Sequence, residues 1–316
     1  MSGTTRTIRH SRRAVLAGAT ALAGQALASR ILPAPALAAN PGLLTRPIPA
    51  SGEQIPQLGM GTWITFNVGA DEALRAQRAE VLRTFFEAGG AMVDSSPMYG
   101  SAEEVVGDCL KRIGGRERLF SATKVWTVSK WLGVSQMEES EELWGENQFD
   151  LMQIHNLLDW EAHMETLTDW KANGRLRYTG ITTSHGRRHE ELAEIIVRQP
   201  FDFIQLTYNV RDREVEERLL PLAMDNGRAV IVNRPFRRGE LPQQLEKHPL
   251  PGWAAEIGCT TWAQVLLKFV ISHPAVTCAI PATSRVEHMR ENMAACRGPL
   301  PDAALRKRMI TDIEAL

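Results

Sequence analysis

Eight short apolar runs, each trailed by a stretch of helical periodicity, constrain this 316-residue chain more than any other feature. The runs are Leu58 to Thr62, Ala91 to Asp94, Leu119 to Lys124, Leu151 to His155, Tyr178 to Thr182, Phe203 to Leu206, Ala229 to Val232 and Val276 to Ile280. Continuous apolar runs rich in β-branched residues suit parallel strands buried on both faces. Between them, apolar residues recur three and four apart, as in Leu74, Val81, Leu82, Phe85 and Phe86, in Leu192, Ile195 and Ile196, and in Leu266, Leu267 and Val270. Gly89-Gly90, Gly174 and Gly227 stand where such helices should stop. Eight strand-helix repeats predict an α/β fold of the (β/α)8 TIM-barrel kind. An open doubly wound sheet is the alternative. No GxGxxG follows a strand, so a Rossmann nucleotide site has no support. Residues 39–316 carry no Pro-, Gly- or Ser-rich linker and read as one domain, with Asn40 to Ile55 as a cap over the bottom of the barrel.

In a barrel, chemistry sits at the C-terminal ends of the strands. Asp94, Lys124 and His155 occupy those ends of the second, third and fourth strands, and Tyr99 follows Asp94 in the next loop. Taken singly, Asp94 and Lys124 read as a buried ion pair, Tyr99 as a surface or packing residue and His155 as a satisfied core histidine. Together on one rim, an acid, a base, a phenol and an imidazole point to proton transfer coupled to carbonyl chemistry.

The first 38 residues follow a different pattern. Arg12-Arg13 leads into an Ala-rich apolar run to Ala28, too short to span a bilayer, and Ala36-Leu37-Ala38 supplies small residues for cleavage. The order is that of a signal peptide, and the paired arginines favour the twin-arginine (Tat) export machinery and a periplasmic or secreted destination. The segment holds five of the 36 basic residues and none of the 37 acidic ones, so its removal takes the net charge from −1 to about −6. Such a chain is a poor partner for nucleic acid. No later segment is long and apolar enough to cross a membrane. Cys109, Cys259, Cys278 and Cys296 lack metal-type spacing, so no metal is expected. Buried free thiols are the default, although Cys278 and Cys296 could pair in an oxidising compartment.

The motifs, in order, resemble those of the aldo/keto reductases across nearly all of residues 39–316. Leu58-Gly59-Met60-Gly61-Thr62-Trp63 resembles the family's first strand, and Asp94-Ser95-Ser96-Pro97-Met98-Tyr99-Gly100 its D-(S/T)-(S/A)-x-x-Y-G segment, continued by Glu103 and Gly107. Thr123-Lys124, Gln153-Ile154-His155-Asn156, Gly180-Ile181-Thr182-Thr183, Gln205-Leu206-Thr207-Tyr208-Asn209 and Ile280-Pro281-Ala282-Thr283 follow, ending at Glu291-Asn292. The resemblance implies hydride transfer between NADP(H), with NAD(H) as the alternative, and a small aldehyde, ketone or alcohol. It casts Tyr99 as general acid/base, Lys124 as the cation that favours its phenolate, Asp94 as the partner of Lys124, and His155 as the neutral donor to the carbonyl oxygen.

The cofactor positions the resemblance implies are Gly61, Thr62, Trp63, Asp94, Thr182, Thr183, Gln205, Asn233, Arg234, Pro235, Thr283, Arg285, Glu291 and Asn292. Gln205 would hold the carboxamide, with Thr182 and Thr183 where the family has Ser and Asn. Val232-Asn233-Arg234-Pro235 departs from the family's A-Y-S-P and removes an aromatic stacking partner. Ala282 replaces a lysine that reads the 2′-phosphate, leaving Arg285, Arg237 or Arg238 to do so. Glu291 and Asn292 would face the adenine. Trp63, Phe66, Trp126 and Leu157 are candidate pocket walls, equally readable as core. The chain lacks the family's long C-terminal lid, which predicts an open pocket. Export raises the question of cofactor supply, which a nucleotide loaded before transport would answer. The second function class is a non-catalytic nucleotide-binding sensor or interaction module on the same barrel.

Overall fold

The computed structural model describes Gly3 and residues 42–316. The signal-peptide reading of residues 1–38, including Arg12-Arg13 and the Ala36–Ala38 cleavage site, lies outside the described residues, Gly3 apart. All eight predicted strands form, with ends shifted by at most two residues. An antiparallel hairpin, β1 (Thr45–Pro47) and β2 (Gln54–Pro56), comes first. The barrel strands are β3 (Met60–Gly61), β4 (Met92–Asp94), β5 (Phe120–Val125), β6 (Phe149–Ile154), β7 (Leu176–Thr182), β8 (Phe203–Thr207), β9 (Ala229–Asn233) and β10 (Val276–Ala279). Each pairs in parallel with its sequence neighbours, from β3 round to β10. The ring then closes: Leu58 bridges Ala279 and Gly61 bridges Ala282, both parallel, and the Gly61 N–H donates to Pro281 O at 3.1 Å. This closure excludes the open doubly wound sheet. The seam needs glycine at Gly61, where a Cβ would lie 2.8 Å from Ile280 O.

The strands have no solvated face, which is why their sequence is apolar rather than alternating. Inside the ring, Met92, Phe120, Leu151, Tyr178, Phe203, Ile231 and Cys278 fill the N-terminal half and pack on Ile48 and Ile55 of the hairpin segment. That hairpin plugs the bottom as predicted. Glu53 anchors it by pairing with Arg177 and by accepting from the Tyr178 hydroxyl at 2.7 Å.

Outside the ring run α1 (Glu72–Glu87), α2 (Ala102–Ile113), α3 (Lys130–Trp144), α4 (Trp160–Ala172), α5 (His189–Arg198), α6 (Leu219–Asp225), α7 (Glu240–Leu245), α8 (Trp253–Glu256), α9 (Trp262–Ile271), α10 (Val286–Ala294) and α11 (Ala303–Glu314). Asp71 caps α1 by accepting from the Leu74 N–H, and the chain leaves that helix through Gly89 at φ +93°. The i, i+3, i+4 faces read from sequence are the ones that bury, the half-buried Leu74 apart. Leu192, Ile195 and Ile196 of α5 are at most 3% exposed, and each contributes about 1.5–3 kcal/mol by burial. All four cysteines are buried free thiols. No helix among the described residues is long and apolar enough to cross a membrane.

Candidate active site

Parallel register brings the strand-end side chains to one height. Asp94 pairs with Ala122, Lys124 with Gln153, and Thr182 with Gln205 across successive strands. Asp94 and Lys124 are 1% and 0% exposed, so each charge depends on its partners. Lys124 Nζ donates to Asp94 Oδ1 at 2.5 Å and to Ser95 O at 2.7 Å. Asp94 Oδ2 accepts from Gln153 Nε2 at 2.9 Å and Gln205 Nε2 at 3.0 Å. Burial pulls the Lys124 ammonium down, but Asp94 and Tyr99 outweigh it and hold its pKa above the ordinary value.

Tyr99 ends a 3₁₀ turn, Pro97–Tyr99, that follows β4 and is capped by Ser96. Its ring lies 5.3 Å from Lys124 Nζ and meets the His155 ring edge-on, centroids 5.7 Å apart. Lys124 does pull the phenol pKa down, but burial pushes it up by more, and Asp94 adds to the rise. Burial is the largest effect, so the net direction is upward. In the free protein Tyr99 holds its proton. His155 follows β6 in another 3₁₀ turn, with Nδ1 2.8 Å from Ser96 Oγ. Burial and then Lys124 push its pKa down to about 2, so the imidazole is neutral.

Tyr99, His155 and Asp94 open onto a cavity of about 490 Å³. Gly61, Thr62, Trp63, Thr182, Thr183, Gln205, Asn233, Arg234 and Pro235 also line it, so ten of the fourteen cofactor positions, Asp94 included, converge. Thr283, Arg285, Glu291 and Asn292 do not line it. Thr283 and Asn292 are buried, and Arg285 lies on the surface 3.8 Å from Glu287. Lys124 sits behind the wall. Of the candidate apolar walls only Trp63 faces the cavity. Phe66 and Leu157 are 0% and 1% exposed and belong to the core, while Trp126 is 42% exposed outside it. Ile64, Met98, Phe236 and Ile280 supply the apolar surface instead.

Part of the cavity wall is polar. Both amide hydrogens of Gln205 are spent, on Asp94 and on Gln153 Oε1, so only its carbonyl oxygen remains to meet a ligand. Asn233 Nδ2 donates to Thr183 O at 2.9 Å and lies 3.3 Å from that Gln205 oxygen. Thr182 Oγ1 accepts from the Asn156 N–H, whereas buried Thr183 Oγ1 has no partner among the described residues. An orphaned hydroxyl on a cavity wall is a ready bond for a ligand amide. Above it, Arg234 Nη1 and Arg238 Nη2 both converge on His185 Nε2, the second at 3.2 Å. Burial, then Arg234, Arg238 and Arg187, lower the His185 pKa, so its neutral nitrogen can accept from two guanidiniums. Arg238 also stacks 4.4 Å from the Trp63 ring, bridging the mouth. Neither Arg234 nor Arg238 forms an ion pair within 4.0 Å among the described residues, unlike Arg237, which meets Asp212 at 3.2 Å. The mouth therefore carries surplus positive charge, fitted to a phosphate-bearing ligand. His185 and Ser96 escaped the sequence reading. Ser96 lies inside the quoted Asp94–Gly100 segment, but its bond to His155, like that of His185 to Arg234 and Arg238, joins residues distant in the chain.

Comparison with known proteins agrees with this geometry. A model of the aldo/keto reductase family matches residues 57–309. Methylglyoxal reductase YeaE of Escherichia coli is 29% identical over 258 residues, 79% of this chain and 89% of that protein. An NADH-specific methylglyoxal reductase of the same organism is 24% identical, covering 81% and 94%. The crystal structure of an aldo/keto reductase from Klebsiella pneumoniae in complex with NADP and acetate superposes with a TM-score of 0.69 at 26% identity, covering 83% and 93%. By motif order, barrel closure and family match alike, this chain belongs to the aldo/keto reductase family.

Proposed function

We propose that the protein reduces a small aldehyde or ketone with NADP(H), accepts NAD(H) less well, and uses Tyr99 as the proton donor. The observation that carries the reading is the meeting of protonated Tyr99 and neutral His155 on one cavity, backed by Lys124 and Asp94. Thr183 Oγ1, the Gln205 oxygen and the Arg234–Arg238 pair fit the amide and phosphate ends of a nicotinamide nucleotide. A related protein is crystallised with NADP and another is named NADH-specific, which supports both nucleotides and this order of preference less strongly. When bound, the reduced nicotinamide supplies a hydride to the carbonyl carbon. His155 donates a hydrogen bond to the carbonyl oxygen and orients it. As negative charge gathers on that oxygen, Tyr99 gives it the phenolic proton. Lys124 then stabilises the phenolate, and Asp94 keeps Lys124 charged and in place. In the oxidative direction Tyr99 takes the proton back.

The test is steady-state reduction of a simple aldehyde with NADPH, with Tyr99→Phe as the comparison. Loss of the acid should cost about 100- to 10,000-fold in kcat with nucleotide affinity retained. A Tyr99→Phe enzyme as active as the parent would remove Tyr99 from the mechanism. A parent that binds nucleotide and never turns over would favour the sensor reading.

The paired arginines ahead of the barrel support a second part of the proposal, export by the Tat route into the periplasm with the nucleotide already held. Protein purified from that compartment should contain nicotinamide; an empty site of micromolar or weaker affinity would defeat this part.

A further inference from the structure

Ser96 joins two parts of the site that the chain keeps 56 residues or more apart. Its side chain is fully buried. Its Oγ accepts from the Met98 N–H at 3.2 Å and caps the turn that carries Tyr99, whose own N–H donates to Ser96 O at 2.9 Å. The same Oγ lies 2.8 Å from Nδ1 of His155.

A hydroxyl has one proton to give. Ser96 has no other acceptor for it among the described residues. Were Nδ1 to carry the imidazole proton, Oγ would receive two hydrogen bonds and its own proton would be stranded in the core. An unmade buried hydrogen bond of that kind costs about 1–3 kcal/mol. The alternative arrangement satisfies every group: Oγ–H donates to a bare Nδ1, and the ring's proton sits on Nε2. Nε2 has no protein partner among the described residues, and the ring lines the cavity.

We propose that Ser96 is a positioning residue of this reductase, whose hydroxyl fixes His155 in the Nε2–H tautomer and ties that tautomer to the turn bearing Tyr99. The proposal rests on the carbonyl-reductase reading above. The tautomer is what that reading requires, since an imidazole with a bare Nε2 would repel the carbonyl oxygen instead of binding it. Aligned donor and acid then arrive together, through one side chain.

The experiment is ¹⁵N NMR of histidine-labelled protein, with His155→Gln to assign the His155 signals, alongside kinetics. In the parent, Nδ1 should resonate as an unprotonated nitrogen and Nε2 as a protonated one. Ser96→Ala should bring in the other tautomer and lower kcat for aldehyde reduction by about 10- to 100-fold, short of the roughly 100- to 1,000-fold that deletion of an oxyanion donor costs. Nucleotide affinity should hold, and Ser96→Thr, which keeps the hydroxyl, should recover the tautomer and most of kcat. A parent protein whose His155 carries its proton on Nδ1 overturns the proposal even if Ser96→Ala fails to fold. So does a folded Ser96→Ala that keeps both the Nε2–H tautomer and the parental kcat. A parent with the stated tautomer and no reductase activity instead upholds the Ser96–His155 bond and defeats the carbonyl-reductase reading.

Discussion

Two buried titratable residues near the site have opposite pH consequences. Glu103 of α2 lies under the Tyr99 turn and accepts from Thr123 Oγ1, Trp144 Nε1 and Ser140 Oγ. Burial nevertheless raises its pKa from 4.5 to about 7. The folded state therefore takes up a proton between those values, and this residue's contribution to stability is full below 4.5 and lost as pH climbs through 7. His155 runs the other way. Its pKa falls from 6.5 to about 2, so the unfolded chain protonates first as pH drops, and stability is full above 6.5 and lost toward 2. Where the windows overlap, each slope is up to about 1.4 kcal/mol per pH unit and the two offset. Glu103→Gln removes one of them. Its stability relative to the parent should rise with pH across the span from 4.5 to 7, measured as urea midpoints at half-unit steps. A difference that stays flat would place the Glu103 titration elsewhere. Asp94, Tyr99, Lys124 and His155 were legible in sequence because each sits at the end of a strand or just past it, and the apolar run marks where that strand ends. The pKa balance at Tyr99 was not, because it depends most on how deeply the phenol is buried, a matter of ångströms. Phe66 and Leu157 were ambiguous for a similar reason: an apolar residue just past a strand reads the same whether its loop turns it into the cavity or into the core.

Elements were more legible than their joins. The strands followed from runs of Val, Ile, Leu, Met and Phe, and the helices from three- and four-residue spacing. The 3₁₀ turns that present Tyr99 and His155 carry no such period, and Asn156 and Leu157 enter left-handed backbone at φ +55° and +56°, a conformation that Asn tolerates but that Leu gives little reason to expect. Lys268 is the counterpart inside an element. It interrupts the apolar run of α9, and the structure shows why it is tolerated: its ammonium donates to the carbonyls of Ile257, Arg297 and Pro299 at 2.6–2.8 Å. Gly107 is an element-scale constraint with a direct test. It sits in α2 where the end of α3 crosses, and a Cβ there would come within 1.9 Å of Leu143 O. Backbone cannot rotate away as a side chain can, so α2 and α3 would have to part. Gly107→Ala gains intrinsic helix propensity of up to about 1 kcal/mol. Overpacking should outweigh that gain, leaving a net loss of about 1–3 kcal/mol and a lower Tm by calorimetry. A variant of unchanged or higher Tm would show that the two helices have room to separate.

At the scale of the whole molecule, the closed ring has no free strand edge among the described residues, and the hairpin packs into the end away from the cavity. Closure was predictable from eight repeats, but the seam rests on Gly59–Gly61 meeting Ala279–Ala282, which no local pattern announces. The four cysteines report on how well this body holds together. Cys278 lies inside the ring against the seam, Cys109 on the buried face of α2, and Cys296 beside Leu44, whose carbonyl its Sγ approaches at 3.2 Å. Burial pushes the thiols of Cys109, Cys259 and Cys296 up to about 12, 11 and 11, and holds that of Cys278 well above the ordinary thiol value. Reaction with a disulfide reagent needs both access and thiolate, so a folded molecule should withhold all four at mildly alkaline pH. In denaturant all four should react. Below the unfolding transition, the order of labelling separates two kinds of opening. If the ring opens only as a unit, Cys278 and Cys109 should label at one rate, set by the global unfolding equilibrium. Cys259, 5% exposed in the turn after α8, is the one thiol that local fraying can release early. Rapid labelling of Cys278 in otherwise native protein would mean that the seam between β3 and β10 opens independently, and that the barrel is held less tightly than its closed hydrogen-bond ring implies.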